Sequence, residues 1–253
     1  MLDPSLFITD PFFYAVAVPA VLITGLAKSG FASGFGALAV PLMALAVPVP
    51  QAAAILLPLL MVMDATGLQQ LWRERDPVLV RRLVPAGLLG IVIGALLFGL
   101  LAPKKVAAVV GALTLAFLAQ RLLFAPRPGA PQAPHWVGRL CAVVSGFTSF
   151  VAHAGVPPIG AYMLPLRLPP KVLSGTLAAF FAAINAAKVL PYAVLGLVDL
   201  RNMATALLLL PLAPLGVWAG VRLVHHVRPD WFYRIAYTGM FLAGSKLLWD
   251  GLR

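Results

Sequence analysis

The run VRRLVPAGLLGIVIGALLFGLL (residues 80–101) carries no charged or hydrogen-bonding side chain after its two opening arginines, Arg81 and Arg82. It offers water nothing to solvate, and its length matches the roughly 20 residues that a helix needs to cross about 30 Å of hydrocarbon. Comparable runs recur at 106–124, 204–224 and 231–248. In lipid every backbone N–H and C=O must be paired internally, and these runs lack the alternating polarity of barrel strands. The sequence therefore predicts an all-α polytopic integral membrane protein.

Composition points the same way. Of 253 residues, 61% are hydrophobic and 11% charged, with a mean hydropathy of +0.96, whereas soluble domains carry roughly 25% charged residues. The net charge of +11 comes from Lys and Arg set mostly between apolar runs. That distribution fits loops at a membrane surface and argues against nucleic acid as a partner. Cys141 has no second cysteine to pair with, which excludes a disulfide framework and reads as a packing residue. The opening MLDPSLFITDPFF holds Asp3 and Asp10 before the first cation, Lys28. It is expected to begin the membrane domain rather than to be a cleaved signal peptide.

A Pro/Gly-rich stretch, APRPGAPQAPH (125–135), divides the chain into two parts, 1–124 and 136–253, and reads as a linker. The parts resemble each other. TGLAKSGFASGFGALAVP (24–41) aligns without a gap on TSFVAHAGVPPIGAYMLP (148–165), and GLLGIVIGALLFGLLAP (87–103) on APLGVWAGVRLVHHVRP (213–229). Identities are few, but their common order predicts two pseudo-symmetric repeats. Each repeat reads as a broken segment (12–48, 136–168) followed by three spans (52–71, 79–101, 104–124; 172–196, 202–224, 231–250). Residues 12–48 as one helix would be about 55 Å long, nearly twice the hydrocarbon thickness, so the segment must fold back or tilt.

If both broken segments are re-entrant hairpins, the halves are inverted. Eleven Lys and Arg then share one side, against Lys104, Lys105, Arg201, Lys246 and Arg253 on the other. A parallel arrangement gives ten against six. The larger asymmetry favours inverted repeats, with the linker cytoplasmic and both termini periplasmic.

The breaks hold the chemistry. Lys28 lies deep in an apolar segment, where a cation needs an anion or a water-filled cavity. Ser29, Gly30, Ser33 and Gly34 follow, and small residues there let backbone N–H groups point at an anion. His153, Ala154 and Gly155 form the second tip, with His153 aligned on Ser29. Asp64 sits inside ILLPLLMVMDATGL and is expected to act in proton coupling or as counter-ion to Lys28. Asn185 occupies nearly the corresponding place in the second half, with Lys188 one turn on. These residues define a candidate site for a small anionic substrate. The same residues also suit close helix packing, with the two lysines reaching for the surface. No hydrolase elbow, phosphate loop or metal-binding cluster is present, and nothing in the sequence calls for a cofactor or a catalytic residue.

GLAKSGFASGFGALAVPLM (25–43), SGFTSFVAHAGVPPIGAYMLPLRLP (145–169) and the basic loop WRERD (72–76) together resemble the sulfite exporter TauE/SafE family of bacterial membrane permeases. The resemblance implies a secondary transporter in the bacterial inner membrane, exporting sulfite or a small organosulfur anion such as sulfoacetate. A passive anion channel and a non-transporting membrane assembly protein are the competing readings of the residues themselves.

Overall fold

The computed structural model describes residues 6–28, 35–123, 133–223 and 229–253. Every regular element among them is helical. The order is α1 (Pro11–Lys28), α2 (Ala39–Met43), α3 (Val49–Leu71), α4 (Pro77–Leu100), α5 (Pro103–Leu123), α6 (His135–Ala152), α7 (Val156–Met163), α8 (Pro170–Val194), α9 (Leu200–Leu209), α10 (Leu212–Leu223) and α11 (Pro229–Leu252). Proline opens α1, α4, α5, α8 and α11, where a missing N–H leaves no bond unmade. Asp76 closes the exposed donors of α4 by accepting from the N–H groups of Val78 and Leu79 at 2.8 and 3.0 Å. Asp199 does the same for α9 through Asn202 N, at 2.8 Å.

Among the described residues, six stretches are long and apolar enough to cross a membrane: Pro11–Lys28, Val49–Glu74, Pro77–Leu100, Pro103–Gln120, Pro170–Val194 and Leu200–Ala219. The protein is therefore a multi-pass helical membrane protein, as its composition implies. Both long N-terminal segments of the halves are broken. α1 ends at Lys28 and a short 3-10 turn with α2 packs back on it, while α6 ends at Ala152 and α7 packs back on α6. Two expected spans differ: 231–250 forms α11 but is not among these six stretches. Residues 202–224 are divided between α9 and α10 at Leu210 and Pro211, because Pro211 and Pro214 supply no backbone donors.

The halves interlock rather than sit side by side. α4 lies along α6, α10 lies along α1, α3 crosses α8, and α5 pairs with α11. Glycine sets three of these approaches. A Cβ at Gly90 would fall 2.0 Å from the Val143 carbonyl oxygen, and one at Gly146 would fall 2.0 Å from that of Gly87. Gly25 meets Gly216 in the α1 and α10 pair, and Gly111 meets the α11 backbone at Leu248. In lipid there is no gain from burying one apolar face on another, so backbone proximity of this kind holds helices together. One buried cluster runs through both halves, with Phe13, Ile55, Leu59, Phe150, Phe180 and Tyr192 within it.

Candidate functional site

Four elements build the site. α1 delivers Lys28 at its C-terminal end, α3 carries Asp64 two-thirds of the way along, α6 ends at Ser149 to His153, and α8 carries Asn185 and Lys188. Lys28 is paired with Asp64 through Oδ1, and Asn185 Nδ2 donates to Asp64 Oδ2. Asp64 is 4% exposed and so depends on these two donors. Lys28 keeps 23% of its side chain exposed, and its ammonium lies 5.8 Å from the centre of the Phe181 ring.

The second tip is fixed by its backbone. His153 caps α6 in the left-handed conformation, with φ 52° and ψ 25°. Its N–H bonds Ser149 O at 3.0 Å and the next N–H, from Ala154, returns to Thr148 O at 3.2 Å, a glycine-type helix stop made by a histidine. That stop turns the ring inward. His153 Nε2 meets the Ala53 carbonyl of α3 at 2.9 Å, and Lys188 Nζ meets His153 Nδ1 at 2.8 Å. A carbonyl only accepts, so Nε2 carries the proton and Nδ1 is the acceptor. Lys188 Nζ also donates to Ser149 O and Oγ, both at 2.9 Å, which engages all three of its donors within the protein. Tyr192 O–H donates to Phe150 O at 2.7 Å, a further tie between α8 and α6.

Between these two groups lies a cavity of about 140 Å³. Lys28, Asp64, Ser149, His153, Ala154 and Asn185 are among its lining residues, with Phe181, Leu60 and Met63 supplying apolar wall. Lys188 is fully buried and stands behind Ser149 and His153, outside the lining. Gly155 is also outside it. A Cβ there would meet the Ser145 carbonyl and the Phe181 ring at 2.9 Å, and its own carbonyl accepts from Ser145 Oγ at 2.6 Å. Ser29, Gly30, Ser33 and Gly34 lie outside the described residues. No group of three or more His, Cys, Asp or Glu residues suited to a metal occurs among the described residues.

Sequence reasoning missed Ser149 and the Ala53 carbonyl. Ser149 aligns with Gly25, so the repeat gave no signal for it, although it lies one turn before His153 on the same helix. The gap-free register that pairs Ser29 with His153 also pairs Asp64 with Lys188 rather than Asn185. The two ties match in place: a polar residue of α3 holds the end of α1, and a polar residue of α8 holds the end of α6.

Neither a curated protein nor a solved structure matches the chain. The family model of the sulfite exporter TauE/SafE matches residues 17–247, nearly the whole length and spanning the break in each half. A helical bundle that crosses the membrane repeatedly and a full-length family match thus agree, and the chain belongs to the sulfite exporter TauE/SafE family, a family of membrane transporters for sulfite-type anions.

Proposed function

We propose that this protein is a secondary transporter that exports sulfite or a small organosulfur anion, sulfoacetate-like in size, across the bacterial inner membrane by alternating access. The observation that carries the reading is Lys28: a cation at the broken end of a membrane helix, lining a partly open cavity together with Asp64 and Ser149. An oxyanion in that cavity would accept from the Lys28 ammonium and from the Ser149 hydroxyl, as charge-assisted bonds to a tetrahedral or pyramidal head group require. Asp64 would hold Lys28 when the site is empty and release it when the anion arrives, which makes it the residue through which a proton would be coupled.

Two inverted repeats, 1–124 and 136–253, suit this mechanism. The reading is supported by the aligned breaks and by packing pairs that exchange when the halves are exchanged, α4 on α6 and α10 on α1. The charge asymmetry of the loops supports a cytoplasmic linker and periplasmic termini.

The test is sulfite flux in vesicles reconstituted with the purified protein. Accumulation against a gradient under an imposed proton gradient, abolished by Lys28→Ala, is the expected result. Equilibration without accumulation would identify a passive channel, and absence of any flux would remove transport of this solute.

A further inference from the structure

Asn185 lies on the cavity wall and is 2% exposed. Its Nδ2 faces Asp64, whose carboxylate also accepts from Lys28 and so presents only acceptors. The amide is thereby fixed with its nitrogen toward Asp64 and its oxygen away from it. That oxygen, Asn185 Oδ1, is a buried polar atom without a hydrogen-bond partner, and no other buried side-chain nitrogen or oxygen among the described residues shares that state. Leaving a buried acceptor unpaired is costly, and native structures keep such an atom for a reason.

The rest of the polar wall is Lys28, Asp64, His153 and the hydroxyls of Thr24, Ser149 and Ser174. Lys28 uses one of its three hydrogens on Asp64. Ser149 Oγ accepts from Lys188, which leaves its own hydroxyl hydrogen to give. His153 has neither ring nitrogen free, since Nδ1 accepts from Lys188 and Nε2 donates to Ala53 O. The lining therefore has donors at Lys28 and Ser149 and buried acceptors at Asp64 and Asn185; both Asp64 oxygens are already partnered, and Asn185 Oδ1 is not. A fully deprotonated oxyanion would satisfy the donors and set another oxygen against Asn185 Oδ1.

We propose that the cavity selects an anion that carries its own hydrogen-bond donor, with Asn185 Oδ1 accepting that hydrogen. Hydrogensulfite and sulfonates bearing an O–H or N–H group fit this pattern, and sulfite dianion and plain alkanesulfonates do not. The inference rests on the anion-transport reading above.

Sulfamate and methanesulfonate separate the cases. Both are singly charged, tetrahedral at sulfur and close in size, neither titrates near neutral pH, and they differ by an amino group in place of a methyl. Calorimetric titration of the purified full-length protein should find sulfamate about tenfold or more tighter, and Asn185→Leu should bring the ratio to about one. Equal affinities in the unmutated protein, or a preference that survives Asn185→Leu, would overturn the inference while leaving anion transport standing. Failure of sulfamate, methanesulfonate and sulfite alike to bind would overturn both. The unmutated protein's ratio is decisive even if Asn185→Leu does not fold.

Discussion

Lys188 Nζ lies 2.8 Å from His153 Nδ1, so a lysine of α8 and the residue that ends α6 are joined inside the membrane. With Ser149 O and Oγ as its other two acceptors, this lysine fastens one side of the cavity without facing it.

Lys188→Met should therefore act first on stability. It removes three hydrogen bonds and strands acceptors in a dry site, at a cost of roughly 2–4 kcal/mol. Thermal unfolding in detergent should show a lowered midpoint, while any protein that stays folded keeps measurable affinity for sulfite. A variant of normal stability that had lost sulfite binding would place Lys188 in direct contact with the solute instead.

The Lys28 and Asp64 pair should be unequal to its parts. Lys28→Met leaves Asp64 buried with only Asn185 to donate to it, a loss of about 2–4 kcal/mol. Adding Asp64→Leu to that variant should restore part of the loss, because it removes the stranded charge. A double-mutant cycle on unfolding midpoints checks this, and strictly additive losses would mean that the pair is not coupled.

Asp64→Asn bears on the coupling role. If a proton moves through Asp64, the variant should lose accumulation driven by an imposed pH difference and retain downhill exchange of sulfite. Proton-driven accumulation with an unchanged pH profile would show that coupling runs elsewhere.

Glycine substitutions should separate close approach from mere smallness. Gly146→Ala places a methyl 2.0 Å from the Gly87 carbonyl and should force α6 off α4, costing about 2 kcal/mol or more. Gly67→Ala meets nothing within 4 Å and should be neutral or slightly stabilising, since alanine is the better helix former. Gly196 also has open space, but its φ of 70° means that Gly196→Ala should cost about 1 kcal/mol. Unfolding midpoints of the three variants would rank them, and equal midpoints would contradict the geometry.

Most helices could be located from the sequence because each is an apolar run bounded by proline or by charge. The expected spans at 52–71, 79–101, 104–124, 172–196 and 231–250 fall on α3, α4, α5, α8 and α11 within a few residues at each end. The division of 202–224 into α9 and α10 was harder to foresee, since hydropathy does not register the two absent backbone donors. At the site, Lys28, Asp64, His153 and Asn185 stood out because polar side chains in an apolar run demand partners, and those partners prove to be one another or a neighbouring helix.

The sequence by itself determined that the chain crosses the membrane as helices, where its two long segments break, and which side chains cannot be left alone in lipid. Hydrocarbon solvates neither peptide groups nor charges, so these properties follow from residue order. Only the tertiary structure decided who pairs with whom. Ser149 had no mark in the sequence because a serine on a membrane helix can bond its own backbone. Lys188 and Lys28 looked alike in the chain, yet one is enclosed by three acceptors of α6 and the other faces the cavity. That difference arises from where helices distant in sequence cross, and the crossings are set by glycine contacts between helices of opposite halves.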